Sequence, residues 1–416
     1  MIRFTEIIIW MAFLVSSYFL IFWLLVFLEE DSEKYSRRTR LRKRPFVSVC
    51  IPAYNEEASI RNTVEKTLGL DYPRSRLEVI VVDDGSIDRT AQVVEQLRGK
   101  YSNLHLVTQK NKGKGAALNA GLVAAKGEYF VVLDADSYPR KDALQRLLPH
   151  FTNDRVATVL PLMKLDEART LLQKIQWCEY MINFFYKKLM GLVDCIHVAP
   201  GPFSVYRKDI LQKIGGFDEN NLTEDLEISL RLQKYDYRLV QTFDTQVYTS
   251  SPTTLKEFYR QRNRWYKGSI LNMLKYRGLV FNKKYGDFGM LQAPRVLTAG
   301  FLVIALIVIS GYNFLLPWAR RICDLYYIRF DIMTLLKDIT INFHLLDLNY
   351  SNIFFALSIF MVGLIFIWLA HSHSGESWIK HGKLTVPAYL LMYSLLVSIV
   401  WIGILFDFLR GKIQKW

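Results

Sequence analysis

Glu128-Tyr129-Phe130-Val131-Val132-Leu133-Asp134-Ala135-Asp136 is the stretch on which the reading of the fold turns. Its apolar and aromatic run, rich in strand formers and preceded by Gly127, reads as a central strand buried on both faces. The run stops at two carboxylates separated by one small residue. At the carboxyl end of a parallel strand, such a pair lies in the crevice where open α/β sheets bind ligands. Two hard oxygen donors at this spacing suit Mg²⁺ or Mn²⁺, with waters and a substrate diphosphate completing the coordination. A pair of solvated loop carboxylates is the plainer alternative, and the tripeptide alone does not decide.

Outward from this strand, apolar runs alternate with polar helical stretches. Strands are expected at Phe46–Ile51, Leu77–Val82 and Leu104–Val107, and helices at Glu57–Leu68, Asp88–Arg98 and Gly115–Ala125. This repetition predicts an α/β fold with a doubly wound, mainly parallel sheet. The first strand end carries Tyr54 and Glu56, the second Asp83-Asp84-Gly85-Ser86. A carboxylate at such a place accepts hydrogen bonds from a base or a ribose. Asn111 to Asn119 is a glycine-containing turn opening a helix, where free N–H groups and Lys114 suit phosphate. Neither the P-loop spacing nor Gly-x-Gly-x-x-Gly is present, which disfavours a dinucleotide enzyme.

In this order and at these intervals, Asp83-Asp84-Gly85-Ser86, Lys114 to Asn119 and Asp134-Ala135-Asp136 resemble an inverting nucleotide-sugar glycosyltransferase of family 2, with the Rossmann-like GT-A fold. The resemblance implies donor contacts from Tyr54, Glu56, Asp83 or Asp84, Lys114 and Asp134, and a metal ion on Asp134 and Asp136. Three later segments extend it. Pro200 to Arg207 resembles the Gly-Pro segment before a Tyr-Arg pair in hyaluronan and chitin-oligosaccharide synthases. That likeness puts Gly201, Pro202, Tyr206 and Arg207 beside the acceptor; a tight turn into a strand explains the same residues.

Thr223-Glu224-Asp225 opens a helix, where Thr223 is a candidate N-cap and the acids suit the dipole. In the family pattern its Asp is the general base, so Asp225 is the catalytic candidate with Glu224 as support. Displacement at an anomeric carbon needs such a carboxylate opposite the leaving diphosphate. Gln261-Arg262-Asn263-Arg264-Trp265 lies in a helical stretch starting near Thr254, which puts Gln261, Arg264 and Trp265 on one face. An interface helix with snorkelling Arg and Trp would account for its basic residues. The Gln-x-x-Arg-Trp signature nevertheless resembles membrane polysaccharide synthases, including cellulose and poly-N-acetylglucosamine synthases. It implies Gln261 and Arg264 on the diphosphate and Trp265 on the acceptor sugar.

Four apolar runs of membrane-spanning length, Ile7–Leu28, Val296–Trp318, Leu348–Ala370 and Leu384–Phe406, are expected to cross a bilayer. The division is then an anchor and basic linker (1–45), a cytoplasmic catalytic domain (46–252), an interface helix (253–290) and a membrane region (291–416). The formal charge of +14 includes Lys34, Arg37, Arg38, Arg40, Arg42, Lys43 and Arg44, a juxtamembrane cluster that stays cytoplasmic on acidic lipid. Three later spans would leave Arg410, Lys412 and Lys415 outside, against that tendency, so either the tendency is overridden or one run is interfacial; one anchor before the domain and three spans after it is the expected arrangement. No nucleic-acid partner is expected, because the cluster abuts a span and no such module is recognisable. The cysteines, Cys50, Cys178, Cys195 and Cys323, are scattered, which fits a reducing compartment. His105, His150 and His197 read as structural.

The expectation is a plasma-membrane, multi-pass glycosyltransferase. It takes a UDP-sugar or related donor with Mg²⁺ or Mn²⁺ and extends a β-linked polysaccharide. A lipid acceptor, polyprenyl phosphate or ceramide-like, is the alternative. A non-catalytic scaffold would show missing acids, and here all are present. Four spans are few for a conduit in one chain, which would call for a homo-oligomer.

Overall fold

The computed structural model describes residues 4–29, 44–327 and 350–411. The chain runs α1 (Phe4–Leu28), β1 (Val47–Ala53), α2 (Ile60–Leu68), β2 (Leu77–Asp83), α3 (Thr90–Arg98), β3 (Leu104–Thr108), α4 (Lys114–Ala124) and β4 (Tyr129–Val132). Then come β5 (Tyr138–Pro139), α5 (Ala143–Leu147), β6 (Val156–Leu165), α6 (Leu171–Leu192), β7 (Ser204–Arg207), α7 (Lys208–Lys213), α8 (Glu224–Lys234) and β8 (Arg238–Thr249). The last helices are α9 (Leu255–Lys275), α10 (Ala293–Tyr327), α11 (Tyr350–Ser374) and α12 (Thr385–Leu409).

Among the described residues the strands form one sheet in the order β3-β2-β1-β4-β7-β6-β8-β5. Strands β1 to β4 are parallel, while β7 and β5 run against their neighbours. Because side chains alternate across a strand, Ile80, Val82, Phe130 and Val132 enter one core, and Val79, Val81, Tyr129 and Val131 the other. Helices α2 and α3 cover the second core with Ile60, Val64, Val94 and Leu97. Helices α4 and α6 cover the first with Ala117, Leu118, Leu122, Phe185 and Leu189. This is the doubly wound arrangement that the central run implied.

Register positions the functional end. Ala53 of β1 lies beside Asp83 of β2, and Cys50 beside Val132 of β4, so three strand ends open on one edge. Antiparallel β7 pairs Ser204 with Val132 and Arg207 with Tyr129. It therefore brings Pro200–Phe203 to that edge and carries Arg207 to the opposite one. The long β6–β8 pair was not anticipated. Thr249 at the end of β8 then leads into Ser250, beside the end of the central strand.

The described parts of all four apolar runs are mainly helical, but two described segments, Phe288–Ile309 and Thr385–Leu409, are long and apolar enough to cross a membrane; Phe13–Leu28 and Phe360–Ser374 are shorter. The expectation of four spans is reduced accordingly. Trp23, Phe366, Leu369 and Ala370 are buried in the same core as the sheet, so α1 and α11 also serve the globular part. Positions 34 to 43 of the basic cluster, 328–349 and Lys412 and Lys415 lie outside the described residues. Helix α6 is a sandwiched layer: Phe185 meets Phe366 of α11 and Phe27 of α1.

Phe130 is fully buried at the centre of β4. Phe130→Ala is expected to cost about 3–5 kcal/mol, because the neighbours cannot close the cavity. Denaturant unfolding of the detergent-solubilised protein, followed by near-UV circular dichroism, measures it.

Candidate active site

Asp83 closes β2 almost fully buried, and its Oδ1 accepts from the Ser86 N–H at 3.2 Å. Asp84 faces elsewhere. Its Oδ1 accepts from the Gln109 side-chain amide (2.7 Å) and the Lys112 N–H (3.0 Å), and its Oδ2 from the Gly113 N–H (2.8 Å). Asp84 thus shapes the turn ahead of α4, whose exposed N–H groups need an acceptor. Tyr54 remains 47% exposed at the mouth. Glu56 accepts from Ser59 Oγ at 2.5 Å. Its pKa is raised by burial, against that bond, and further by Asp136 and Asp134.

The first residue of α4 ties the motifs together. Lys114 Nζ lies 2.6 Å from Asp134 Oδ1 and 3.1 Å from Glu224 Oε1. Burial works against its charge, but Asp134, Glu224 and Asp225 outweigh it and hold the ammonium protonated. Gly201 packs directly on this group: a Cβ there would fall 2.5 Å from Asp134 Oδ1. Asp136 accepts from Ser137 Oγ at 3.0 Å and from Ser250 Oγ. Its pKa is raised, first by burial and then by Asp134. A carboxylate whose charge is opposed by burial and by a neighbouring acid fits a divalent cation. Among the described residues no cluster of three or more His, Cys, Asp or Glu side chains could hold one. Asp134 and Asp136 would therefore supply a minority of the ligands, as is usual for Mg²⁺ beside a diphosphate.

Asp225 stands in the first turn of α8. Its pKa is pushed up to about 6, by burial and by Glu224, against Lys114 and Arg264. Thr223 occupies the N-cap position without capping through its side chain. Its hydroxyl instead accepts from Asn272 Nδ2 of α9 at 3.0 Å. Gly268 of α9 packs on the same threonine, where a Cβ would collide with Oγ1. Helix α9, begun by the Thr254–Glu257 capping box, is thereby seated on the acid pair, and Arg264 bears on Asp225. Among the described residues no donor reaches the buried Gln261 Oε1, an acceptor suited to a ligand hydroxyl or amide.

Other expected residues lie apart. Tyr206 is buried against Phe217, and its pKa is raised by burial, then by Asp225 and Glu224; it underlies the acids and does not face an acceptor. Arg207, at the far edge, donates to the carbonyls of Val156 and Asn153. Pro202 is buried beside Gly201. Trp265 is stacked by Arg262, whose guanidinium carbon lies 4.1 Å from the ring centre. Sequence reasoning passed over Arg262, which has no exposed surface and pairs at 2.6 Å with Glu179 of α6. The available signal was a lone carboxylate inside the apolar run Trp177-Cys178-Glu179-Tyr180-Met181.

Strand-end acids, a lysine-headed helix and a carboxylate-headed helix thus meet on one sheet edge of a GT-A fold. Residues 48–215 match the profile of the family described as Glycosyl transferase family 2, and the chain carries a domain of that family. It is 35% identical over 256 residues to a probable glycosyltransferase, YdaM, of Bacillus subtilis (strain 168), covering 59% of this chain and 60% of that one. A beta-monoglucosyldiacylglycerol synthase of Nostoc sp. is 29% identical over 246 residues, 58% of this chain and 53% of that one. A poly-beta-1,6-N-acetyl-D-glucosamine synthase of Staphylococcus epidermidis is 26% identical over 356 residues, 82% of each. The matches thus span about half to three fifths of the first two relatives. Among solved structures, a mannosyltransferase of Pyrobaculum calidifontis in complex with GDP-Man and Mn²⁺ shares the fold, with TM-score 0.54 and 20% identity, over 78% of this chain and 93% of that one.

The Arg262–Glu179 pair is buried on both sides. Glu179→Gln or Arg262→Met is expected to lose about 3–5 kcal/mol by stranding one charge, and the double replacement by methionines to recover most of it. Thermal denaturation of the three variants tests this.

Proposed function

We propose that this chain is a membrane-bound inverting glycosyltransferase that moves a sugar from a UDP-sugar or similar donor to a hydroxyl of a growing β-linked polysaccharide. The observation that carries the reading is the Lys114 bridge. It holds the Asp-x-Asp strand end and the Thr-Glu-Asp helix start on one ammonium.

Asp83 and Tyr54 are placed for the nucleoside. Lys114 bears on the diphosphate side, with Gln261 and Arg264 brought up by α9. Asp134 and Asp136 would hold Mg²⁺ or Mn²⁺, which stabilises charge on the departing diphosphate when bound. Asp225 accepts the proton of the acceptor hydroxyl as its oxygen attacks the anomeric carbon. The bond to the diphosphate oxygen breaks on the other face, so configuration inverts and a nucleoside diphosphate leaves. The two long apolar segments support a bilayer location, and the basic residues before position 45 support a cytoplasmic face for the domain. The match that spans 82% of both chains, to a polysaccharide synthase, supports the polymer. A second reading, one sugar on a lipid, is favoured by the match to the glucosyldiacylglycerol synthase. Product size, a ladder or a single glycolipid, separates them.

Asp225→Asn is expected to lower transfer by about 10²–10⁴-fold, the usual worth of a general base, while UDP binding in calorimetry persists. Unchanged turnover would refute the role. Because the Asp225 pKa is raised to about 6, the base form is lost by protonation as pH falls through that value. Transfer kcat/KM should therefore fall about tenfold per unit on the acid side of that midpoint and level off above it.

A further inference from the structure

Helix α12 is uncharged except at one place. Asp407 is its one charged residue between Thr385 and Leu409, and a carboxylate in such a helix is costly unless a partner meets it. The partner is on α9. Lys267, with a side chain 2% exposed, brings Nζ to 2.5 Å from Asp407 Oδ2, and Asn263 Nδ2 lies 3.4 Å from the same oxygen. Asn263 and Lys267 are four residues apart and share a face of α9 with Tyr259 and Tyr266. Tyr266 stacks on Trp401 with ring centres 5.0 Å apart. The Tyr259 hydroxyl occupies the space over Gly403, where a Cβ would overlap it.

The residue after Lys267 meets the acid-bearing turn of α8. A Cβ on Gly268 would collide with Thr223 Oγ1, and Asn272 Nδ2 donates to that oxygen at 3.0 Å. Thr223 precedes Glu224, whose Oε1 lies 3.1 Å from Lys114 Nζ, and that ammonium lies 2.6 Å from Asp134 Oδ1. Consecutive residues of α9 therefore touch the apolar helix on one side and the start of α8 on the other. With no side chain at Gly268 to give way, a displacement of α9 passes directly to Thr223. Short contacts thus connect Asp407 to the strand-end acids.

Replacing a buried ion pair by apolar residues of similar volume is often neutral for stability, so stability alone does not account for the carboxylate. We propose that Asp407 is a positioning residue for the nucleoside diphosphate. Through Lys267 and Asn263 it seats α9, and α9 holds Thr223 and Glu224 in register with Lys114 while presenting Gln261 and Arg264 to the donor. Helix α12 is then part of the donor site, although it lies outside residues 48–215 that match the family. The inference rests on the transferase reading for its ligand and adds no chemical step.

The test is calorimetric titration of UDP with MnCl₂ into the full chain in phosphatidylcholine nanodiscs, paired with thermal denaturation of each variant. The double replacement Lys267→Met with Asp407→Leu should keep the melting temperature, because apolar partners replace the pair. It should nevertheless raise the Kd for UDP about tenfold, as expected when coupling between distant sites is lost. Asp407→Asn should weaken UDP binding in the same direction, whereas Asp407→Glu, which keeps the carboxylate, should bind nearly as the unsubstituted protein does. An unchanged Kd in the apolar double variant, or a Kd that rises only in step with a falling melting temperature, would overturn the inference. Absence of UDP binding by the unsubstituted protein would instead overturn the transferase reading itself.

Discussion

One ammonium group organises the functional edge. Lys114 begins α4, where the helix dipole disfavours a cation, yet it is held between Asp134 and Glu224. Glu224 and Asp225 begin α8, where the dipole favours anions. The two helix starts therefore face each other with complementary charge, and the central strand supplies the third member. Without the lysine, Asp134, Glu224 and Asp225 would repel one another with no cation between them. Asp225, already elevated by burial and by Glu224, shows what that repulsion does when only partly offset.

Helix α9 is the second element on which the arrangement depends, and polar contacts fasten it on three sides. Asn272 and Gly268 seat it on Thr223 of α8. Arg262 pins it to Glu179 of α6, and Lys267 reaches Asp407 of α12 at 2.5 Å. Tyr266 stacks on Trp401 of the same helix, with ring centres 5.0 Å apart. The apolar helices are thereby joined through α9 to the residues beside Asp225. Buried ionic contacts add little net stability over apolar ones, but they discriminate strongly against a shifted register. That suits a helix whose task is to aim Gln261 and Arg264.

The local signals were strong where one segment decides its own structure. The central run, the first strands and their helices, and the Thr254 cap follow from periodicity and capping chemistry. So does the grouping of the acids at strand ends, because a parallel sheet puts those ends on one edge. The acid triplet at the start of α8 and the face of α9 were likewise readable, since helical spacing alone sets them.

Tertiary structure decided what depends on partners distant in sequence. Antiparallel pairing of β7 sent Arg207 to the wrong edge for an acceptor, and no spacing within the segment reveals strand direction. Asp84 and Asp83 are adjacent in sequence, yet the loop before α4 captured one of them. Arg262 and Arg264 look equivalent along the chain. Only the approach of α6 buries the first with Glu179 and leaves the second beside Asp225. Composition and period report which side chains prefer water; which buried charge meets which depends on packing between elements.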